Sequence, residues 1–265
     1  MVAPTGTLCD RIDRRGVHCT SVPHPIVLHN MKRDKRFDQR LAGAIPYLRV
    51  GKVLSDVGTD HAHLPIYVCQ NGICPRAIAS DINRGPVENA RRNIAAAGLA
   101  DRIATVCTPG LDGIREYAPE DITIFGMGGE LIAAILAASP WVNREGRRLI
   151  LQPMTHAEKL REYLLSAGYA IVGETLSREG ERIYQTICAE PAPGTIPPSL
   201  TPAELSVGQA AYRVNDAGQK ELYAALIRRT VRTETAARDA RRAAGQDTAE
   251  LDGLIASLIE LEAGL

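Results

Sequence analysis

The sequence contains no run of about 18 apolar residues, which argues against a membrane-spanning helix. Its first residues lack the apolar stretch of a secretory signal, so the expected compartment is cytoplasmic. Formal net charge is zero, so bulk charge announces no nucleic-acid partner, and local clusters must carry any such case. None of the six cysteines (Cys9, Cys19, Cys69, Cys74, Cys107 and Cys188) forms a CxxC pair, which argues against a structural zinc site. A disulfide framework is out of place in a domain this large without a signal peptide. The cysteines are therefore expected as reduced thiols, with Cys69 and Cys107 in the core. No internal repeat is evident. What remains is a globular composition, 265 residues with 45% hydrophobic and 23% charged, enough for one domain of ordinary to large size or for a domain plus a small appendage.

Residues 1–30 mix Pro, Gly, Arg and His without a period of 2 or 3.6, and read as a disordered extension. Met31 opens a basic segment and is the expected true start. Phe37, Leu41, Ile45 and Leu48 then recur at three or four, which suits a short amphipathic helix. From residue 52 strands and helices alternate. Strands are expected at 53–58, 77–82, 103–107, 122–129 and 147–153. The intervening helices carry their own punctuation: Asn71-Gly72 closes one, and another has Pro86 in its first turn and Gly98 at its stop. Residues 169–180 and 181–190 read as a closing antiparallel pair. Repeated strand–helix units give an α/β fold, a mainly parallel sheet with helices on both faces.

Residues 191–202 are Pro-rich and read as a linker. The remainder, 203–265, is helical in composition. A helix near 217–244 carries Arg228, Arg229, Arg232, Arg238, Arg241 and Arg242. After a turn at 245–248, Leu251, Leu254, Ile255, Leu258 and Leu261 mark a second, and together they form a helical hairpin. The expected organisation is thus an extension (1–30), an α/β domain (31–190), a linker (191–202) and a hairpin (203–265).

Open α/β sheets bind ligands at the carboxyl ends of their strands. The first strand ends in Asp56-Val57-Gly58-Thr59-Asp60-His61. Gly58 permits close backbone approach. The acidic Asp56 and Asp60 would repel a pyrophosphate, and the G-x-G-x-x-G of dinucleotide binders is missing. Such a loop suits a ligand with a cationic centre and an amino group, such as S-adenosylmethionine; alternatively Asp60 only caps the next helix. The second strand ends at Asp81, followed by Ile82, where a carboxylate can accept both hydroxyls of a ribose. After the fourth strand come Gly126, Met127, Gly128 and Gly129, either a place of close approach to substrate or a glycine-rich turn. After the fifth, Pro153 stiffens the chain and Gln152 offers both donor and acceptor; His156 reads as a helix-start residue more readily than as a catalyst.

On these stretches the chain resembles the bacterial tRNA adenine-N1 methyltransferases that modify adenine 22. The carrying segments are DVGTDHAHLPIY (56–67), AIASDINRGPVENARRNI (77–94), ITIFGMGGELIAAIL (122–136), LILQP (149–153) and LREYLLSAGY (160–169). The resemblance implies a Rossmann-like class I methyltransferase with a seven-stranded sheet and a coiled-coil-like C-terminal hairpin. It implies S-adenosyl-L-methionine as cofactor, tRNA as partner, no metal and no membrane, and a monomer with a homodimer as the alternative. It places Asp56, Gly58, Asp60 and His61 around the methionine part of the cofactor, and Asp81 with Ile82 at the ribose. Gly126 to Gly129 would line the methyl-transfer site, and Gln152 and Pro153 would face the target base.

Two positions depart from that pattern. Pro109 stands where the family usually carries an Asp expected near the cofactor adenine, with Asp112 as a candidate substitute. Met154 stands where an Asn usually follows Gln-Pro. The implied reaction needs no strong base, because the adenine N1 lone pair is already free, so catalysis rests on positioning and on exposing the base. RNA contact is expected from Lys32, Arg33, Lys35, Arg36 and Arg40, and from Arg228, Arg232, Arg238 and Arg242. The rival readings are a small-molecule methyltransferase, an RNA-binding relative without activity and, least favoured by the acidic first loop, a nucleotide-dependent oxidoreductase.

Overall fold

The computed structural model describes residues 38–196, 198–209 and 216–265. The N-terminal extension, Met31, Phe37, Cys9, Cys19 and the cations Lys32, Arg33, Lys35 and Arg36 lie outside the described residues.

Short helix α1 (Gln39–Ala42) and a 3-10 turn (Ile45–Tyr47) lead into the sheet. They replace the single helix expected over 37–48, and Pro46 opens the 3-10 turn at a position where its missing N–H costs little. The chain then runs β1 (Leu54–Val57), α2 (His63–Gln70), β2 (Ala77–Asp81), α3 (Arg84–Ala96), β3 (Ile103–Cys107), β4 (Asp121–Met127), α4 (Gly129–Ala137), β5 (Arg148–Pro153), α5 (Ala157–Ser166), β6 (Tyr169–Glu179) and β7 (Arg182–Pro191). These seven strands form one sheet in the order β3-β2-β1-β4-β5-β7-β6. The first five are parallel, and β7 joins β5 and β6 in antiparallel register. The α/β fold expected from the sequence is the one observed.

The central strands β1, β4 and β5 are buried over most of their length because both faces are covered. Along β5, Leu149 and Leu151 pack with Ile132 and Leu136 of α4 and Leu160 and Leu164 of α5. Between them Ile150 points to the opposite face, where it joins Val68 of α2, Ile94 of α3 and Ile45. Cys69, Cys74 and Cys188 are buried, but Cys107 is exposed. It closes β3, and its thiol reaches the Ile82 carbonyl at 3.6 Å. The core position expected for Cys107 is thus corrected: a strand's last residue at the open carboxyl edge has no helix above it.

At the amino ends of the strands, charges pair with one another. Asp121, at the start of β4, accepts Arg49 Nε at 2.7 Å and the Arg49 backbone N–H at 2.8 Å. Arg148 bonds Glu190 at 2.7 Å and the Tyr47 carbonyl at 2.8 Å, and Lys52 meets Glu120 at 2.6 Å.

Beyond β7 the chain forms α6 (Pro202–Val207), α7 (Ala217–Ala243) and α8 (Ala249–Ala263). Thr201 and Glu204 close a reciprocal capping box at the start of α6, a helix into which the proline-rich reading of 191–202 runs by one residue, Pro202. Tyr223, Leu226 and Ile227 of α7 and Leu258 of α8 form a third core with Leu176 of β6 and Val207. The join is reinforced by Arg161, fully buried on α5. Its Nε donates to Glu174 of β6 at 2.9 Å, and its Nη1 donates to the Leu205 carbonyl of α6 at 2.6 Å. Gln219 at the base of α7 both donates to and accepts from the Leu176 backbone, at 2.9 and 2.7 Å. Among the described residues no helix is long and apolar enough to cross a membrane.

Candidate cofactor and methyl-transfer site

A cleft of about 310 Å³ opens at the carboxyl end of β1, lined by Asp56, Gly58, Asp60, His61, Arg40 and Phe125 among others. The loop that forms it turns sharply. Gly58 has φ +79 and Ala62 φ +56, the left-handed region in which a glycine is unstrained and an alanine is not. The amides of Gly58 and Thr59 both donate to the Ser80 carbonyl of β2, at 2.9 and 2.8 Å, which ties the loop to the neighbouring strand end. Helix α2 starts after Ala62 with no side-chain cap. Asp60 therefore does not cap it: the carboxylate is exposed and lies 3.2 Å from His61 Nε2.

Asp56 is the buried acid of the cleft, only 7% exposed. Thr123 Oγ1 of β4 donates to it at 2.7 Å. Burial pushes the Asp56 carboxyl above its ordinary value, against the lowering influence of Thr123, Thr59 and the Arg40 guanidinium. A ligand that brings a cation to this carboxylate offsets the cost of its burial.

Asp81 ends β2, half-buried, with Oδ1 accepting the Asn83 amide at 2.8 Å. Ile82 beside it is 65% exposed, an apolar surface at the strand edge with nothing packed over it. Because Val57 pairs with Ser80, Asp81 and Ile82 follow directly beside the Gly58 loop.

The glycine segment divides. Gly126 is the extra residue of a bulge between Phe125 and Met127, with φ +78, and it is exposed; bulges of this kind re-aim the chain beside functional sites. Met127 touches Gly58, where its methyl group occupies the space of an added Cβ. Gly128 lies against Thr155, whose Oγ1 would be 3.1 Å from a Cβ there. Gly129 is buried, and a Cβ would overlap the His156 carbonyl. Gly129 thus serves the packing of α4 on the β5–α5 loop, whereas Gly126 keeps the approach to the cleft open.

Gln152 is fully buried. Its Nε2 donates to the Arg40 carbonyl at 3.0 Å, and its Oε1 has no partner among the described residues. Pro153 is also buried. Gln152 presents no open face to a base, because the segment carrying α1 lies across it. Pro153, Met154 (40% exposed) and His156 line a groove of about 270 Å³ shared with Arg229 and Thr233 of α7. His156 stands at the start of α5 in the left-handed region, its Nδ1 3.1 Å from Glu158. Asp112 is exposed, and its backbone carbonyl accepts Thr108 Oγ1 at 3.0 Å.

Arg40, expected as an RNA contact, turns into the cleft. Its Nη1 would be 3.3 Å from a Cβ on Gly126, and Asp38 holds its Nε at 3.2 Å. No local pattern marks it, since only the tertiary fold carries α1 over the ends of β4 and β5. In the hairpin, Arg228 pairs with Glu262, Arg238 with Asp239 and Asp252, and Arg242 with Asp252. Arg229 and Arg232 are exposed and in no ion pair among the described residues.

A mainly parallel sheet with an acidic loop after β1, an acid ending β2 and a bulged glycine ending β4 belongs to one class of enzyme fold. The chain is a member of the methyltransferase-domain family, which matches residues 37–187. It is 38% identical over 155 residues to the tRNA (adenine(22)-N(1))-methyltransferase of Bacillus subtilis strain 168, a match covering 58% of this chain and 65% of that enzyme, just under two thirds of its length. The crystal structure of the Bacillus subtilis M1A22 tRNA methyltransferase TrmK is similar at 30% identity and TM-score 0.68, over 84% of this chain and 94% of that one. A Streptococcus pneumoniae protein solved in complex with S-adenosyl-L-methionine is similar at 28% identity and TM-score 0.72, over 85% of this chain and 99% of that one. The chain is TrmK-like in both sequence and fold.

Proposed function

We propose that this protein transfers the methyl group of S-adenosyl-L-methionine to N1 of adenine 22 of a tRNA. The observation that carries the reading is the cleft itself: a buried acid, a left-handed glycine loop and a strand-end carboxylate, in a chain whose relatives carry that activity and, in one case, that cofactor. The residues fit the cofactor. Asp56 needs a cation to offset its burial, Gly58 lets the ligand meet the backbone, Asp81 offers its carboxylate to ribose hydroxyls, and the exposed Ile82 covers an adenine face. Bound there, S-adenosyl-L-methionine supplies a methyl group on a cationic sulfur. Asp56 and Asp60 hold the charged end, the Gly126 bulge leaves room for the incoming base, and Arg40 roofs the cleft. No residue has to remove a proton from a neutral ring nitrogen, so the site acts by orientation and by electrostatic matching.

The groove beside Met154 and Arg229 is our reading of where the RNA enters, with Arg229 and Arg232 meeting phosphates. We read residues 31–190 as the methyltransferase domain, 191–202 as its connection and 203–265 as an appended helical unit, docked on β6 through the core that Leu176 shares with Tyr223, Ile227 and Leu258. Pro109 and Met154 motivate one rival, an RNA-binding relative that does not transfer methyl groups. The test is incubation with methyl-labelled S-adenosyl-L-methionine and unmodified tRNA, followed by nucleoside analysis. We expect label in N1-methyladenosine, lost when adenine 22 is replaced by guanine. Cofactor and tRNA binding without label would establish the rival.

A further inference from the structure

A second hollow lies at the amino end of the strands, away from the cofactor cleft. It measures about 520 Å³ and is lined by Arg115, Pro140, Trp141, Arg144 and Arg147. It shares no residue with the cleft, and β5 alone separates the two ends of the sheet by roughly 20 Å. Its occupant is therefore distinct from the reacting base.

The lining is three guanidinium groups, an indole and a proline, with no carboxylate. Among the described residues Arg115, Arg144 and Arg147 are in no ion pair, whereas the neighbouring Arg49 and Arg148 are both paired with acids. Arg147 stacks over Trp141, its guanidinium carbon 5.2 Å from the ring centroid. Its Nε is buried and, among the described residues, has no hydrogen-bond partner. Guanidinium groups without acidic partners around an open hollow favour an anionic acceptor there. The walls are fixed: Arg49 Nη2 donates to the Gly146 carbonyl at 3.0 Å, and Asn143 Nδ2 donates to the Ala167 carbonyl at 2.7 Å.

We propose that this hollow binds a nucleotide unit, with its phosphate held by Arg115, Arg144 and Arg147 and its base against Trp141. Planar guanidinium forks match phosphate oxygens, and an indole gives a base an aromatic surface whatever its identity. A free nucleotide and one nucleotide of an RNA strand share this chemistry.

Trp141 is the one tryptophan of the chain, so tryptophan fluorescence reports this hollow alone. The full-length protein is titrated at low salt with inorganic phosphate, with adenosine monophosphate and with a short oligoribonucleotide. Quenching by the two base-bearing ligands is expected, weakening as salt is raised. In the Arg115→Gln/Arg144→Gln variant, affinity is expected to fall at least about tenfold, and Arg115→Lys/Arg144→Lys is expected to recover part of it. Both arginines are exposed, so the variants keep the fold. Equal affinity for the nucleotide and the oligoribonucleotide identifies a free-nucleotide site, and much tighter oligoribonucleotide binding identifies an RNA contact. No quenching by either overturns the proposal. So does quenching undiminished in the glutamine variant, or binding in which inorganic phosphate alone competes as well as the nucleotide.

Discussion

The two ends of the sheet are built to opposite plans. At the amino end of the central strands, Arg49, Lys52 and Arg148 each pair with an acid of this chain. At the carboxyl end, Asp56, Asp60 and Asp81 stand on strand ends and loops beside the positive-φ Gly58 and, on the neighbouring strand β4, the bulge at positive-φ Gly126. There the only arginine among the cleft's lining residues is Arg40. Arg49, Lys52 and Arg148 hold the fold, apart from the unpaired arginines of the hollow beside them, whereas the carboxyl end keeps its acids for a ligand and carries the strained backbone that goes with it.

The sharpest break in that contrast comes from Arg49→Met. It strands the Asp121 carboxylate, which is 0% exposed, and should cost about 3–5 kcal/mol of unfolding free energy in chemical denaturation. Cofactor affinity of the remaining folded protein should not change. Asp56→Asn should do the reverse. Binding of S-adenosyl-L-methionine, measured by calorimetry, should weaken by about 1.5–3 kcal/mol, since a charged partner is lost, while the melting temperature holds or rises because a buried charge has gone.

A pH series sharpens the same point. Burial raises the Asp56 carboxyl's pKa in the free protein, and a cationic ligand favours the ionised form. Affinity should therefore be full above that raised pKa and fall as pH drops through it, earlier than for an ordinary carboxylate. The asparagine variant should show no such step.

A smaller effect is expected at Cys107, exposed beside Ile82, while burial raises the thiols of Cys69, Cys74 and Cys188. Alkylation mapped by mass spectrometry should be fast at Cys107 relative to those three and should slow when cofactor is present. An unchanged rate would place the nucleoside elsewhere. Smallest is Gly126→Ala, where the left-handed φ should cost about 1–2 kcal/mol in stability, with a lower turnover number as the approach narrows.

Most of this architecture is legible in the sequence for a simple reason. The parallel strands are covered on both faces, so they read as apolar runs ended by Gly, Asp or Pro. The cleft of Asp56, Gly58, Asp60 and His61 is contiguous in sequence and equally readable. What escapes is what depends on partners distant along the chain. A burial average puts Cys107 inside, although its strand ends at an open edge. Arg40 reads as a surface cation until α1 is laid over Gly126. The arginines of α7 read as a free basic face, yet Arg228 and Arg242 meet acids of α8 that only the hairpin register brings near. Gln152 and Gly129 stand at legible positions, but their side-chain surroundings come from Arg40 and His156.

The bonds of Arg161 and Gln219 have a mechanical consequence. Helix α7 has 27 residues and so projects about 40 Å, and the buried Arg161 and the twin bonds of Gln219 to Leu176 brace its root. A 10° error in the angle at that root would sweep the tip through roughly 7 Å, the span of about two RNA base-pair steps. The pitch of the hairpin over the cleft is thus set at its root, by an arginine and a glutamine that lie outside the cleft.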